Sequence, residues 1–121
     1  MEYTSFQTVE STAAQGVSYT IAKMSFGRRV ELTRRIRELA ARREFAEAGD
    51  TPGDKMDAAL LASEIDRIYL LWGLTEVKGL DLDGSPATPE SLAASGPEEL
   101  CREALAAIKE QCGLSEAERK N

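Results

Sequence analysis

Apolar positions change period along this chain, and each change marks an element. In residues 16–24, GVSYTIAKM, Val17, Tyr19 and Ile21 alternate with Ser18, Thr20 and Ala22, the period-2 pattern of a half-buried strand. Upstream, Tyr3, Phe6 and Val9 stand among Thr and Ser ahead of TAAQG. That segment fits either a second strand turning at Gln15-Gly16 or a flexible N-terminus over residues 1–15. From Phe26 to Ala48 the period becomes helical: Leu32, Ile36 and Leu39 recur at i, i+4 and i+7, and Gly49 with Pro52 supplies the stop. Thr51-Pro52-Gly53-Asp54 then reads as a helix start, with Thr51 as cap, Pro52 at the first position and Asp54 closing a capping box. The helix it opens carries Leu61, Ile65, Ile68 and Trp72 at i, i+4, i+7 and i+11, and Gly73 ends it.

Beyond Gly73, Val77, Leu80 and Leu82 with Asp83-Gly84 predict a short strand running into a tight hairpin turn, since Asp-Gly tolerates the positive φ such turns require. Thr88-Pro89 and Gly96-Pro97 each place proline at the first position of a helix. The first, over 89–94, has one turn or two. The second, over 97–112, turns Cys101, Ala104, Leu105, Ile108 and Cys112 inward and stops at Gly113. Ser115 and Glu118 form a final capping box for a short helix in an exposed tail, residues 114–121. The expected fold is α+β, mainly α, in a single domain over 1–121. It has an N-terminal strand or hairpin, three main helices, a short β-hairpin between the second and third, and a short C-terminal helix. Its core candidates are Leu32, Ile36, Leu39, Leu61, Ile65, Ile68, Leu105 and Ile108.

Length and composition agree with this picture: 121 residues with 42% apolar and 30% charged side chains suit one soluble globular domain. No long apolar run or signal-peptide pattern appears, so neither a membrane span nor export is expected and the cytoplasm is the default. The net charge of -6 is unevenly shared. Residues 1–48 carry eight basic and six acidic side chains, a net +2; residues 49–121 carry seven and fifteen, a net -8. A chain this acidic is not expected to bind nucleic acid generally, which needs a basic surface to release counterions.

Seven arginines nevertheless crowd the first helix, at positions 28, 29, 34, 35, 37, 42 and 43. They spread around the helical wheel without interleaved aromatics, so a solvated or subunit-contacting helix is the better reading than a nucleic-acid stripe. Glu31 with Arg35 and Glu38 with Arg42 stand at i, i+4, each pair worth ~0.3 kcal/mol. Arg28 and Arg29, at a helix start that disfavours cations, need partners from outside the helix. Arg28, Arg29, Arg34 and Arg35 are therefore candidate partner contacts, together with Trp72. Trp72 shares its stripe with core residues, which favours packing; facing a partner, it would be the energetic centre of the contact.

Chemistry is scarce. The chain has no histidine, and with it go the commonest general base and metal ligand. Cys101 and Cys112 fall about 16 Å apart along one helix. They can neither share a zinc ion nor approach within the roughly 7 Å a disulfide needs, and free, mostly buried thiols are expected. No Gly-rich phosphate loop and no acid-base constellation is present, so no catalytic residue, metal site or cofactor is expected. Asp81, Asp83, Gly84 and Glu90 match four positions of a calcium-binding EF-hand loop. Gly79 would occupy the first ligand position without a carboxylate, and Pro86 replaces the apolar strand residue. A hairpin turn accounts for Asp83-Gly84 with less effort.

Taken together, the MSFGRRVELTRRIRELA helix, the helix ending in IYLLWGL, the VKGLDLDGSPATPESL segment, the GPEELCREALAAIK helix and the GLSEAERKN ending resemble the small tail assembly chaperones of long-tailed bacteriophages and prophages. The resemblance runs from about residue 17 onward. It implies a non-enzymatic protein of the infected host's cytoplasm that binds the hydrophobic tape measure protein, keeps it soluble and promotes polymerisation of tail tube protein around it. It also implies a longer form made by ribosomal frameshifting, and the polar ending suits such a junction. The main alternative is a structural virion component, a head-tail connector or tail subunit, in which the oppositely charged halves drive homo-oligomeric rings. A DNA-binding regulator is a third class, and it predicts salt-sensitive DNA binding through the arginine helix.

Overall fold

The computed structural model describes residues 1–113, so the expected helix at Ser115–Glu118 lies outside the described residues. The chain runs β1 (Phe6–Glu10), β2 (Ser18–Ala22), α1 (Phe26–Glu47), α2 (Pro52–Gly73), β3 (Leu74–Lys78), β4 (Asp81–Leu82), β5 (Ser85–Pro86), α3 (Pro89–Ser95) and α4 (Glu98–Gln111). This is the expected mainly helical α+β fold, and the N-terminal segment is a strand. The alternation read in β2 holds: Val17, Tyr19 and Ile21 are all buried. Strand β1 pairs antiparallel with it, Val9 opposite Tyr19, and β2 pairs in turn with β3, Tyr19 opposite Val77.

The third strand departs from expectation. The single strand foreseen from Val77 to Leu82 is split: β3 completes the N-terminal sheet, and β4 and β5 form a separate hairpin. Gly79 makes the break, at a φ of +84° where a Cβ would lie 2.2 Å from the Gly16 carbonyl oxygen. Pairing between strands more than fifty residues apart leaves no local periodicity to read. The turn itself is as expected, with Asp83 and Gly84 both at positive φ in a two-residue loop, the type I′ geometry.

Helix boundaries follow the capping chemistry. The Ser25 hydroxyl accepts from the Arg28 N–H, and Thr51 with Asp54 forms the anticipated capping box. Thr88 with Ser91 forms another at α3. Pro97 is the N-cap of α4 rather than its first helical residue. Gly73 ends α2 as expected. It is not a left-handed cap; Leu74 is already extended, and a Cβ on Gly73 would lie 2.6–2.9 Å from Ile108 side-chain carbons. The glycine permits close packing of α2 on α4.

The core lies between the sheet, the C-terminal half of α2, and α3 with α4; Tyr19, Ile21, Leu92, Leu100 and Ile108 are its largest fully buried side chains. Of the core candidates, Leu32, Leu61, Ile65 and Ile108 are buried, while Ile36, Leu39, Ile68 and Leu105 are half-buried. On the inward face of α4, Ala104, Ile108 and Cys112 are buried as expected and Leu100 joins them, while Cys101 is half-buried with its thiol donating to the Leu92 carbonyl. Helix α1 packs chiefly on α2, so its apolar stripe needs to cover only one neighbour. The two helices form an antiparallel hairpin whose connecting end, around residues 48–51, lies away from the main core.

Candidate partner-binding surface

The α1–α2 hairpin carries an unusual share of exposed apolar surface. Leu32, Ile36 and Leu39 turn toward α2, so residues on the opposite side of α1, at 26, 30, 33 and 37, face solvent by helical geometry. Phe26 is 90% and Phe45 85% exposed on α1, and Met56 73% and Leu60 59% on α2. Scattered exposed apolar residues are ordinary, but several large ones on one arm make it the candidate interaction surface.

Two concavities organise these residues. Near the connecting end, an open groove of about 480 Å³ lies along the helix pair, lined by Ala41, Phe45, Ala46, Leu60 and Leu61. Asp54, Asp57 and Glu64 line it as well, with one cation, Arg42. Near the start of α1, a shallower depression of about 410 Å³ lies among Phe26, Val30 and Thr33, with Arg29, Arg34 and Arg37 around it. One end of the arm is apolar and acidic, the other apolar and basic.

The arginines and Trp72 anticipated as partner contacts divide accordingly. Arg34 and Arg29 border the basic depression. Arg29 also donates to the Cys112 carbonyl, 3.4 Å away at the C-terminal end of α4, where the helix dipole favours a cation. Arg28 finds its partner inside the molecule, its guanidinium carbon 5.3 Å from the Phe6 ring centroid and 5.9 Å from that of Trp72. Arg35 pairs with Glu31 at 3.1 Å. The anticipated Glu38–Arg42 pair is not among the ion pairs of the described residues; Arg43 meets Glu47 instead, at 2.6 Å. Trp72 is buried in the core, because α2 enters the sheet–α4 layer at its C-terminal end, and this takes it off the exposed surface.

No protein family, curated protein or solved structure matches this chain.

Several other polar groups are engaged in structure. Glu103 on α4, which no sequence pattern singled out, binds the loop between β1 and β2. One carboxylate oxygen accepts from the Thr12 N–H at 2.8 Å, the Thr12 hydroxyl at 2.7 Å and the Ala13 N–H at 2.9 Å. The other accepts from the Tyr19 hydroxyl at 3.1 Å. Partial burial pushes this carboxyl up, but the donors from Thr12 and Ala13 outweigh it and hold it down at about 2. Burial and the neighbouring Glu103 in turn push the Tyr19 phenol upward. A carboxylate with its lone pairs so occupied is a latch rather than a base. Lys109 joins α4 to α2 through Asp66 at 2.7 Å.

Both cysteines are free thiols. Burial pushes Cys101 and Cys112 upward, against the lowering effect of Arg29 and Lys109 on Cys112, so both stay protonated and weakly nucleophilic near neutrality. Among the described residues, no three His, Cys, Asp or Glu side chains gather as metal ligands, and no helix is long and apolar enough to cross a membrane. The arrangement suits holding an amphipathic helix in a groove.

Proposed function

We propose that this chain is a non-enzymatic tail assembly chaperone of a long-tailed phage, which holds a helical segment of the tape measure protein on its α1–α2 hairpin. The observation that carries this reading is the exposed apolar surface of the hairpin: Phe26, Phe45, Met56 and Leu60 stand in solvent on an arm whose root is anchored in the core. A tape measure protein is a long helix with apolar stripes that aggregate when bare. A groove lined by the exposed Phe45 and Leu60 covers such a stripe, and the anchored sheet and α4 keep the arm in shape while it does so. Shielding would take place in the host cytoplasm, while tail tube protein polymerises around the tape measure.

Co-expression with the tape measure protein, followed by pull-down, tests the proposal. A soluble complex that is weakened by Phe45→Ser with Leu60→Ser is the expected result. Failure to form a complex, with the protein retained in mature particles, would refute it in favour of the structural virion component.

A further inference from the structure

The C-terminal end of α4 lies next to the basic depression on α1. Arg29, which lines that depression, donates to the Cys112 carbonyl at 3.4 Å, and Gly113 turns the chain off the helix axis at a φ of +79°. The segment after Gly113 therefore starts beside Arg29. Among the described residues, α1 alone lines the depression: Phe26 and Val30 form an apolar strip on one exposed face, and neither Arg34 nor Arg37 makes an ion pair. The residues that come next have the complementary character. In LSEAE, Leu114 is apolar and Glu116 and Glu118 are anionic. Their reach also suffices. Along α1, Arg34 lies about 7.5 Å and Arg37 about 12 Å from Arg29. Residues 114–118 span roughly 16 Å when extended, and roughly 11 Å if Ser115 opens the helical turn that its capping box predicts. Glu118 can meet Arg34 in either form. Arg119 and Lys120 would face like charge, so the match ends at Glu118.

We propose that residues 114–118 dock on α1 of their own chain, Leu114 against Phe26 and Val30 and the two glutamates against Arg34 and Arg37. Exposed ion pairs are individually weak. Here they are assisted by the tether, since a short connection gives an effective concentration on the order of millimolar, and by the apolar contact of Leu114. The docked segment masks the basic end of the arm and leaves the acidic groove open. A client helix laid on the same face of α1 has to displace it. The inference stands apart from the tape measure reading: it requires only residues of this chain.

Solution NMR of the isotope-labelled full chain tests it, with charge reversals at Glu116 and Glu118 and at Arg34 and Arg37, both exposed on α1. In the wild type, nuclear Overhauser contacts are expected between the Leu114 methyls and the Phe26 ring or Val30, with amide order parameters of about 0.8 over residues 114–118. Glu116→Lys with Glu118→Lys is expected to abolish the contacts and drop those order parameters below about 0.6. Arg34→Glu with Arg37→Glu is expected to do the same. Combining all four reversals is expected to restore both signals, and the spectrum of the other residues checks that each variant folds. The contacts are expected to persist on dilution and to be absent between labelled and unlabelled copies. Wild-type residues 114–118 without contacts to α1, contacts that survive either reversal, no recovery in the combined variant, or contacts made between copies would each overturn the inference.

Discussion

Glu103→Gln tests whether the N-terminal sheet is tied down by charge. In the wild type the carboxyl lies at about 2 against an ordinary value of 4.5. A depressed folded value means that ionised Glu103 stabilises the fold above pH 4.5 and that the stabilisation fades as pH falls toward 2. Full conversion of that difference gives at most about 3.4 kcal/mol at pH 7. The site is half-buried, and solvent screening brings the expectation down to about 2 kcal/mol. Glutamine keeps one oxygen for Thr12 and Ala13 and can donate to the Tyr19 oxygen, so it retains geometry while losing the charge-assisted part of the bonds. Urea unfolding at pH 7 should therefore show a loss of about 1–2 kcal/mol in the variant. The diagnostic quantity is the wild-type advantage over Glu103→Gln as a function of pH, because other carboxylates titrate alike in both proteins. That advantage should shrink by about half between pH 7 and pH 3. A pH-independent difference, or no difference at pH 7, would refute the latch.

Other positions give further expectations. Gly73→Ala should cost about 1–3 kcal/mol in thermal or urea melts, because the new methyl collides with Ile108, whereas Gly27→Ala, with open space around it, should be neutral or stabilising. Arg28→Ala should change the fluorescence of the only tryptophan, since the guanidinium lies over the Trp72 ring. In a native thiol-labelling time course, buried Cys112 should react more slowly than half-buried Cys101, and both should react slowly at neutral pH.

Elements that rest on local rules were legible in the sequence. The alternation of Val17, Tyr19 and Ile21, the capping box at Thr51 and Asp54, the Thr88-Pro89 start and the Asp83-Gly84 turn each need only a few neighbouring residues. What escaped depends on distant partners. Whether Leu74–Lys78 forms a separate strand is decided by β2, and why residue 73 is glycine is decided by Ile108, on another helix. The candidate surface was half legible. Arginines on α1 drew attention for their charge, yet Arg28 and Arg35 are satisfied within the molecule. Phe26, Phe45, Met56 and Leu60 matter because they are exposed, and a wheel on which some apolar residues fall outside the main stripe gives only a weak signal of that. Trp72 illustrates the converse, since its place on an apolar stripe already indicated that it is buried.

Hydrogen exchange of the chain alone and in complex with the tape measure protein addresses the central claim most directly. New protection is predicted on the hairpin, concentrated at residues 26–37 and 41–64, with the sheet and α4 unchanged. Protection confined to the sheet or α4, or an exchange pattern indifferent to the tape measure protein, would contradict the proposal that the α1–α2 arm is the client-binding surface.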